Sequence, residues 1–196
     1  MSKSPRILNC AFDEEGVYVY QAFSPHIVAN AVELGTFGKG FGLDRTSWIK
    51  PSFGWTLQRS EYATKHRMEA IARIKVHHWA WFEMLQSSAP AHYDPNIYAN
   101  ELEWNAALKR CQVVMQWDPD RNLDGRPNGR PAIQLGLKAE ILPRYVNEFI
   151  IGVEDVTELA RRCGEIARAR RTDFPEVPLE REYAIEDAEL ARRVLG

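Results

Sequence analysis

The chain has 196 residues, of which 45% are hydrophobic and 27% charged, with a net charge of -2. This is enough for one domain, or one domain with a short appendage, and 6 Trp, 7 Tyr and 8 Phe argue against disorder. A near-neutral balance supplies no global field towards nucleic acid or membrane, so any anion site must be a local patch.

The first element is the β-branched and aromatic stretch VYVYQA at 17–22, which predicts a strand. Ser24-Pro25 fits an N-cap followed by proline at the first helical position, and the helix should run to about Leu34 and stop at Gly35. Residues 35–42 (GTFGKGFG) form a flexible loop, and 46–50 a short strand. Pro51 opens a further element at 52–59, helix or strand.

Residues 68–77 alternate. Met68, Ala70, Ala72, Ile74 and Val76 share one side, and Glu69, Arg73, Lys75 and His77 the other, with Ile71 the exception. That pattern is a half-buried strand. A helix is expected at 79–86 with Trp79, Phe82 and Leu85 towards the core, and a second amphipathic helix at 100–110. Then come a strand at 112–117, a long polar loop at 118–130 and a strand at 132–137. A short helix at 141–147, a strand at 149–153 and an arginine-rich helix at 157–171 follow.

After Arg171 the chain turns rich in proline and glutamate, with a last short helix at 185–195. We take 1–171 as a single α+β domain and 172–196 as an acidic C-terminal appendage, too small to bury a core alone. Strands and helices do not alternate regularly, which disfavours a doubly wound sheet. The expected fold is a compact α+β domain with about six mostly antiparallel strands in a small split sheet flanked by helices.

Cys10, Cys111 and Cys163 are far apart and odd in number, with no C-x-x-C pair. They fit free thiols in a reducing compartment better than disulfides or a zinc site. The first ten residues carry no apolar signal region, and no apolar run is long enough to span a bilayer. A cytoplasmic protein without membrane association or a metal is the expectation.

Several motifs fail on their spacing. Gly38-Lys39-Gly40-Phe41-Gly42 lacks both the Lys-Ser/Thr of a phosphate loop and the dinucleotide spacing. Asp118, Asp120 and Asn122 begin like a calcium loop, but Leu123 and Gly129 stand where Gly and Glu are needed. His77 and His78 are neighbours, so on a strand they point to opposite faces.

Three patterns remain. Arg45, Lys50 and Arg59 interleave with Trp48, Phe53 and Trp55, which suits an anionic ligand carrying a ring, or else a core with a solvated cationic rim. Gln116-Trp117-Asp118-Pro119 ends a strand in a carboxylate, with Arg121, Arg126 and Arg130 following. Asp118 is a base, a partner for one of these arginines, or a turn residue. Gln21, Gln116 and Gln134 sit inside apolar strands, where amides either converge on a cleft or face solvent. The arginines of 157–171 form a phosphate patch or pair with the acidic segment after them.

Read together, VYQAF at 19–23, WIKPSF at 48–53, Arg59-Ser60 with ATK at 63–65, QWDP at 116–119, IQLGL at 133–137 and DVT at 155–157 resemble the bacterial domain-of-unknown-function 4291 family. The likeness spans roughly residues 5–171, in order. It departs at Thr46-Ser47, where Met-Thr is usual, and at Gly54, where a larger apolar residue is usual. The family's layout is similar to ADP-ribosyltransferase-like folds, with a split sheet, a helix after the first strand and an NAD cleft between the halves. The usual catalytic glutamate of those enzymes has no clear counterpart in this sequence.

The resemblance implies a nucleotide-like ligand, NAD above all. Tyr20 and Gln21 would lie at the nicotinamide side. Arg45, Lys50 and Arg59 would hold phosphates, Ser52 would donate a hydrogen bond, and Trp48 or Trp55 would stack. Asp118 would act as base or oxocarbenium stabiliser, with Gln21 and Gln134 beside it. The alternative is a non-catalytic nucleotide- or RNA-binding module using the same strip, and a scaffold for a protein partner is the third.

Overall fold

The structure, a computed structural model, describes residues 5–138 and 140–196. The described residues form nine strands and seven helices in an α+β arrangement, as the mixed order of elements predicts. A three-stranded antiparallel sheet is built from β2 (Gly16–Phe23), β4 (Ala70–His77) and β8 (Ile150–Asp155), in the order β2-β4-β8. A second sheet has the order β3-β7-β6-β5, from β3 (Ser47–Ile49), β5 (Ser88–Pro90), β6 (Val113–Arg121) and β7 (Pro127–Leu137). Its pairs are antiparallel except β5 with β6. A bridge between Tyr20 and Lys50 joins the two sheets.

Period-2 patterning decides the cores. Val17, Val19 and Phe23 of β2 and Ala70, Ala72, Ile74 and Val76 of β4 enter the main core. Ile71, the residue that breaks the alternation of β4, is also buried, because the opposite face is covered too. There it meets Tyr20, Phe53 and Leu57, and Ala160 and Cys163 of α6 (Thr157–Arg168).

Helix α1 (Pro25–Leu34) begins at the expected proline and ends at Gly35, whose φ of 71° is the left-handed conformation that glycine takes without strain. The open choice at 52–59 resolves to helix α2 (Phe53–Arg59). Ser52 Oγ accepts from Trp55 N at 3.1 Å, satisfying one of the first-turn donors.

Helix α3 (His78–Gln86) is helical as expected, but its buried face is displaced. Ala80, Trp81, Met84 and Leu85 are buried, whereas Trp79 and Phe82 stay 49% and 37% exposed. The helix leaves β4 without a connecting loop, so the strand's last residue fixes its rotation. Helix α4 (Glu101–Arg110) is capped by Asn100 and buries none of its side chains fully.

Residues 118–130 are mostly hairpin instead of loop. β6 continues to Arg121, and β7 starts at Pro127 around a turn that uses the left-handed Gly125. The short helix near 141–147 is α5 (Leu142–Arg144) running into a π-helical turn, Tyr145–Phe149.

Beyond Arg171 the chain lies against the body. β9 (Arg181–Glu182) pairs with β1 (Asn9–Cys10), and α7 (Ala188–Leu195) buries Leu190 and Val194 in the main core. No described helix is long and apolar enough to cross a membrane.

Candidate functional site

The polar face of the second sheet forms the floor of a cleft. Ile49, Val113, Met115, Ile133, Leu135 and Leu137 point into the main core. The residues between them therefore point the other way. Trp48, Gln116, Asp118 and Gln134 all stand on that outer face and line a cleft of about 1070 Å³. Trp48 pairs with Gly136, where a Cβ would lie 2.9 Å from the indole, so the glycine makes room for the ring.

Gln116 and Gln134 face each other across the β6–β7 ladder. Gln116 Nε2 donates to Asp118 Oδ1 at 3.0 Å, and Gln134 Nε2 donates to Asp118 Oδ2 at 2.8 Å. Both carboxylate oxygens are thereby held in orientation at the cleft floor. Two of the three strand glutamines thus converge on one acid. Gln21 lines the cleft from β2, with its amide donating to Ser47 Oγ and the Trp48 carbonyl and its oxygen accepting from the Tyr145 hydroxyl.

One wall is α2, which turns Trp55, Gln58 and Arg59 to the cleft, the i, i+3, i+4 spacing of a helix face. Lys50 Nζ lies 5.4 Å from the centre of the Trp55 ring. Burial pushes the Lys50 ammonium down to about 8, nearby Arg59 adds to this, and Asp118 opposes it. Arg45 stands at the rim, with its guanidinium 5.9 Å from the Phe23 ring.

The charge distribution sets this cleft apart. Among the described residues, Arg45, Lys50, Arg59, Lys65, Arg67 and Arg121 line it, against one carboxylate, Asp118. None of the six takes part in an ion pair among the described residues, although arginines and lysines elsewhere on the chain do. A chain with a net charge of -2 thus concentrates unpaired positive charge in one hollow. No group of three potential metal-ligating side chains occurs among the described residues.

Family comparison supports the resemblance of the strings that build this cleft. Residues 7–183 match the domain of unknown function DUF4291. The chain belongs to the DUF4291 family. No curated protein matches it.

Within this DUF4291 chain, the structure brings Gln21, Arg45, Trp48, Lys50, Arg59, Asp118 and Gln134 together in the cleft. Tyr20 and Ser52 lie elsewhere. Tyr20 is next to Gln21 on a strand and so takes the opposite face, where its ring packs 5.0 Å from Phe53 in the second core. Ser52 is spent on structure, donating to Asp120 Oδ1 at 2.5 Å while capping α2. The acids that hold arginines after Asp118 are Asp120, bonded to Arg130 Nε at 2.9 Å, and Asp124, 3.3 Å from Arg126 Nε, and not Asp118. Glu180 reaches Arg130 and the Phe53 amide, not the arginines of α6.

Sequence reasoning missed Gln58, Lys65, Arg67 and Arg121 as cleft residues. The helix spacing from Trp55 to Gln58 was the available signal for the first. Lys65 and Arg67 gave none, because they sit on a turn whose path depends on four non-glycine residues in the left-handed region.

Proposed function

We propose that the cleft binds a phosphorylated nucleotide and that the chain is an ADP-ribosyltransferase-like enzyme taking NAD there. One observation carries this reading: six cations without carboxylate partners share a hollow with Trp48, Trp55 and a single orientated acid. Cations left without partners raise the energy of the empty site, and a phosphate relieves it. The volume suits a ligand of dinucleotide size, just above the roughly 300–1,000 Å³ typical of small-molecule sites.

In this reading the pyrophosphate lies against Arg45, Lys50 and Arg59, and Trp48 offers its face to a ring. Asp118 faces the nicotinamide ribose. The glycosidic bond breaks with its electron pair leaving on nicotinamide. The Asp118 carboxylate offsets the positive charge that develops on the sugar and takes the proton of the attacking hydroxyl. Gln116 and Gln134 keep the carboxylate aimed, so that little reorganisation is needed at the moment of reaction.

A second reading, a nucleotide- or RNA-binding module without chemistry, is favoured by the exposure of Arg45, Arg59 and Arg67 along the mouth of the cleft.

Thermal melting with NAD, ATP and a short RNA in parallel separates the two. A ligand at 100 times its dissociation constant adds about 2.7 kcal/mol of stability. The enzyme reading expects a shift with NAD, and nicotinamide release that Asp118→Asn abolishes while the melting temperature of the free protein is kept. A shift with RNA or ATP alone selects the binding module. The absence of any shift overturns both.

A further inference from the structure

The cleft holds more positive charge than one dinucleotide uses. A pyrophosphate bridge carries two negative charges, and the three cations at the two flanks of β3 and on α2 (Arg45, Lys50 and Arg59) already outnumber them. Lys65, Arg67 and Arg121 remain. They come from different parts of the chain: the turn between α2 and β4 supplies the first two, and the end of β6 supplies the third. Lys65 and Arg121 are half-buried, and Arg121 Nε is shielded from solvent with no hydrogen-bond partner among the described residues.

The turn that presents Lys65 and Arg67 is strained and firmly held. Glu61, Tyr62 and Ala63 have φ of 52°, 58° and 59°, and Arg67 has φ of 64°. None is glycine, and each such residue costs roughly 1–2 kcal/mol. Surrounding structure imposes the path. Ser60 Oγ accepts from the Ala63 amide at 3.2 Å, and the Ser60 carbonyl accepts from the amides of Thr64 and Lys65. The Tyr62 hydroxyl donates to the Leu123 carbonyl at 3.2 Å, tying the turn to the β6–β7 hairpin. Behind it stands Gly164 of α6, where a Cβ would come within 2.6 Å of Tyr62. Strain held this firmly clusters at functional sites. Here its visible product is two cations turned into the cleft that also holds a third, Arg121, whose donor is unspent.

We propose that Lys65, Arg67 and Arg121 form a second phosphate subsite, which takes the phosphomonoester of a second molecule while the nucleotide occupies the first. The proposal rests on the nucleotide reading for its first ligand, but the subsite stands on its own residues. A phosphomonoester carries nearly two charges near neutral pH, which the three cations balance with the same margin as the first three balance a pyrophosphate. Two sources share this chemistry, the 5′-phosphorylated end of an oligonucleotide and a free phosphate.

The test is equilibrium binding of a short 5′-phosphorylated oligonucleotide, the same oligonucleotide without its phosphate, and inorganic phosphate. Each is measured with and without saturating NAD, and NAD itself is titrated by calorimetry. The expected result is that the phosphorylated oligonucleotide binds in the presence of NAD, about tenfold tighter than its dephosphorylated form. Lys65→Ala with Arg67→Ala should remove that preference and lower the salt slope by about two, while NAD affinity, held by Arg45, Lys50 and Arg59, falls by less than the preference does. Lys65→Arg in the Arg67 background should retain the preference. Inorganic phosphate displacing the oligonucleotide one for one identifies the subsite as a site for the phosphate group itself.

One-for-one displacement of the oligonucleotide by NAD would overturn the second subsite, since a single site would then serve both. Equal affinity for the two oligonucleotides would overturn it as well. If NAD fails to bind while the phosphate preference and its loss in the double variant persist, the subsite stands and the NAD reading falls.

Discussion

Tyr20 and Lys50 exchange both backbone hydrogen bonds, at 2.7 Å and 3.2 Å, and this bridge is where the three-stranded sheet meets the four-stranded one. On one side of it the Tyr20 ring closes the second core, and on the other the Lys50 amine enters the cleft. A residue needed to join two sheets therefore also places a cation where burial disfavours its charge.

Replacing Lys50 by methionine should stabilise the free protein. The Lys50 ammonium has its pKa depressed to about 8, so in the folded state its charge is carried at a cost throughout the pH range below that value. Removing the charge should raise unfolding stability at pH 7 by roughly 1–3 kcal/mol, less the fraction of a kcal/mol contributed by the contact with Trp55. Urea unfolding measures it, and pyrophosphate affinity should fall about tenfold in the same variant. A loss of stability would mark Lys50 as a structural cation instead of a ligand-binding one.

Gln134 should matter to rate more than to fold. Its amide holds one oxygen of Asp118, while Gln116 holds the other. Gln134→Leu removes a half-exposed hydrogen bond, with a cost of about 1 kcal/mol. In the enzyme reading, kcat for nicotinamide release should fall about tenfold with KM little changed, because the loss is one of orientation. A change in KM alone would place Gln134 in ligand binding.

Much of this cleft was legible as alternation. The positions that share a face with Trp48, Gln116, Asp118 and Gln134 follow from the apolar residues between them, and Arg59 follows from Trp55 by helix spacing. Tyr20 shows how the same rule fails when two adjacent residues are placed in one site. Ser52, expected to donate to a ligand, was legible neither as the cap of α2, since the segment read equally as helix or strand, nor as a partner of Asp120, since that contact joins residues 68 positions apart. The displaced face of α3 had no local signal either, because the register of β4 sets it. The left-handed turn at Glu61–Ala63 was invisible for a related reason: non-glycine residues adopt it only under tertiary constraint.

Gly54 is where α2 touches the second sheet. An ideal Cβ there would lie 2.1 Å from the Arg121 carbonyl oxygen and 3.0 Å from its carbon, both backbone atoms that have no rotamer to escape into. Gly54→Ala should therefore cost about 1–3 kcal/mol and push Arg121 along the cleft wall. Differential scanning calorimetry reads the first effect, and weaker binding of the phosphorylated oligonucleotide reads the second. An unchanged melting temperature would mean that α2 can lift away from the second sheet without cost.

Glu180 makes the grip of the C-terminal segment pH-dependent. Its Oε1 accepts from the Phe53 amide at 2.8 Å, and its Oε2 lies 3.5 Å from Arg130. Burial raises the Glu180 carboxyl to about 7, with the Asp120 carboxylate adding to the rise and the Phe53 amide and Arg130 opposing it. In the unfolded chain a glutamate titrates near 4.3. Between these values the folded state keeps a proton that the unfolded state releases, so this contribution is complete below about 4.3 and is lost as pH rises through about 7. Its full size is on the order of 3 kcal/mol. Glu180→Gln is neutral at every pH and retains the acceptor for Phe53. The difference in urea midpoint between pH 5 and pH 8 should shrink in that variant relative to the parent chain. The Phe53 amide in the parent should also exchange faster at pH 8 than intrinsic chemistry alone predicts. If parent and variant lose stability in parallel across this range, the proton resides on some other group, and Glu180 is held ionised by Arg130.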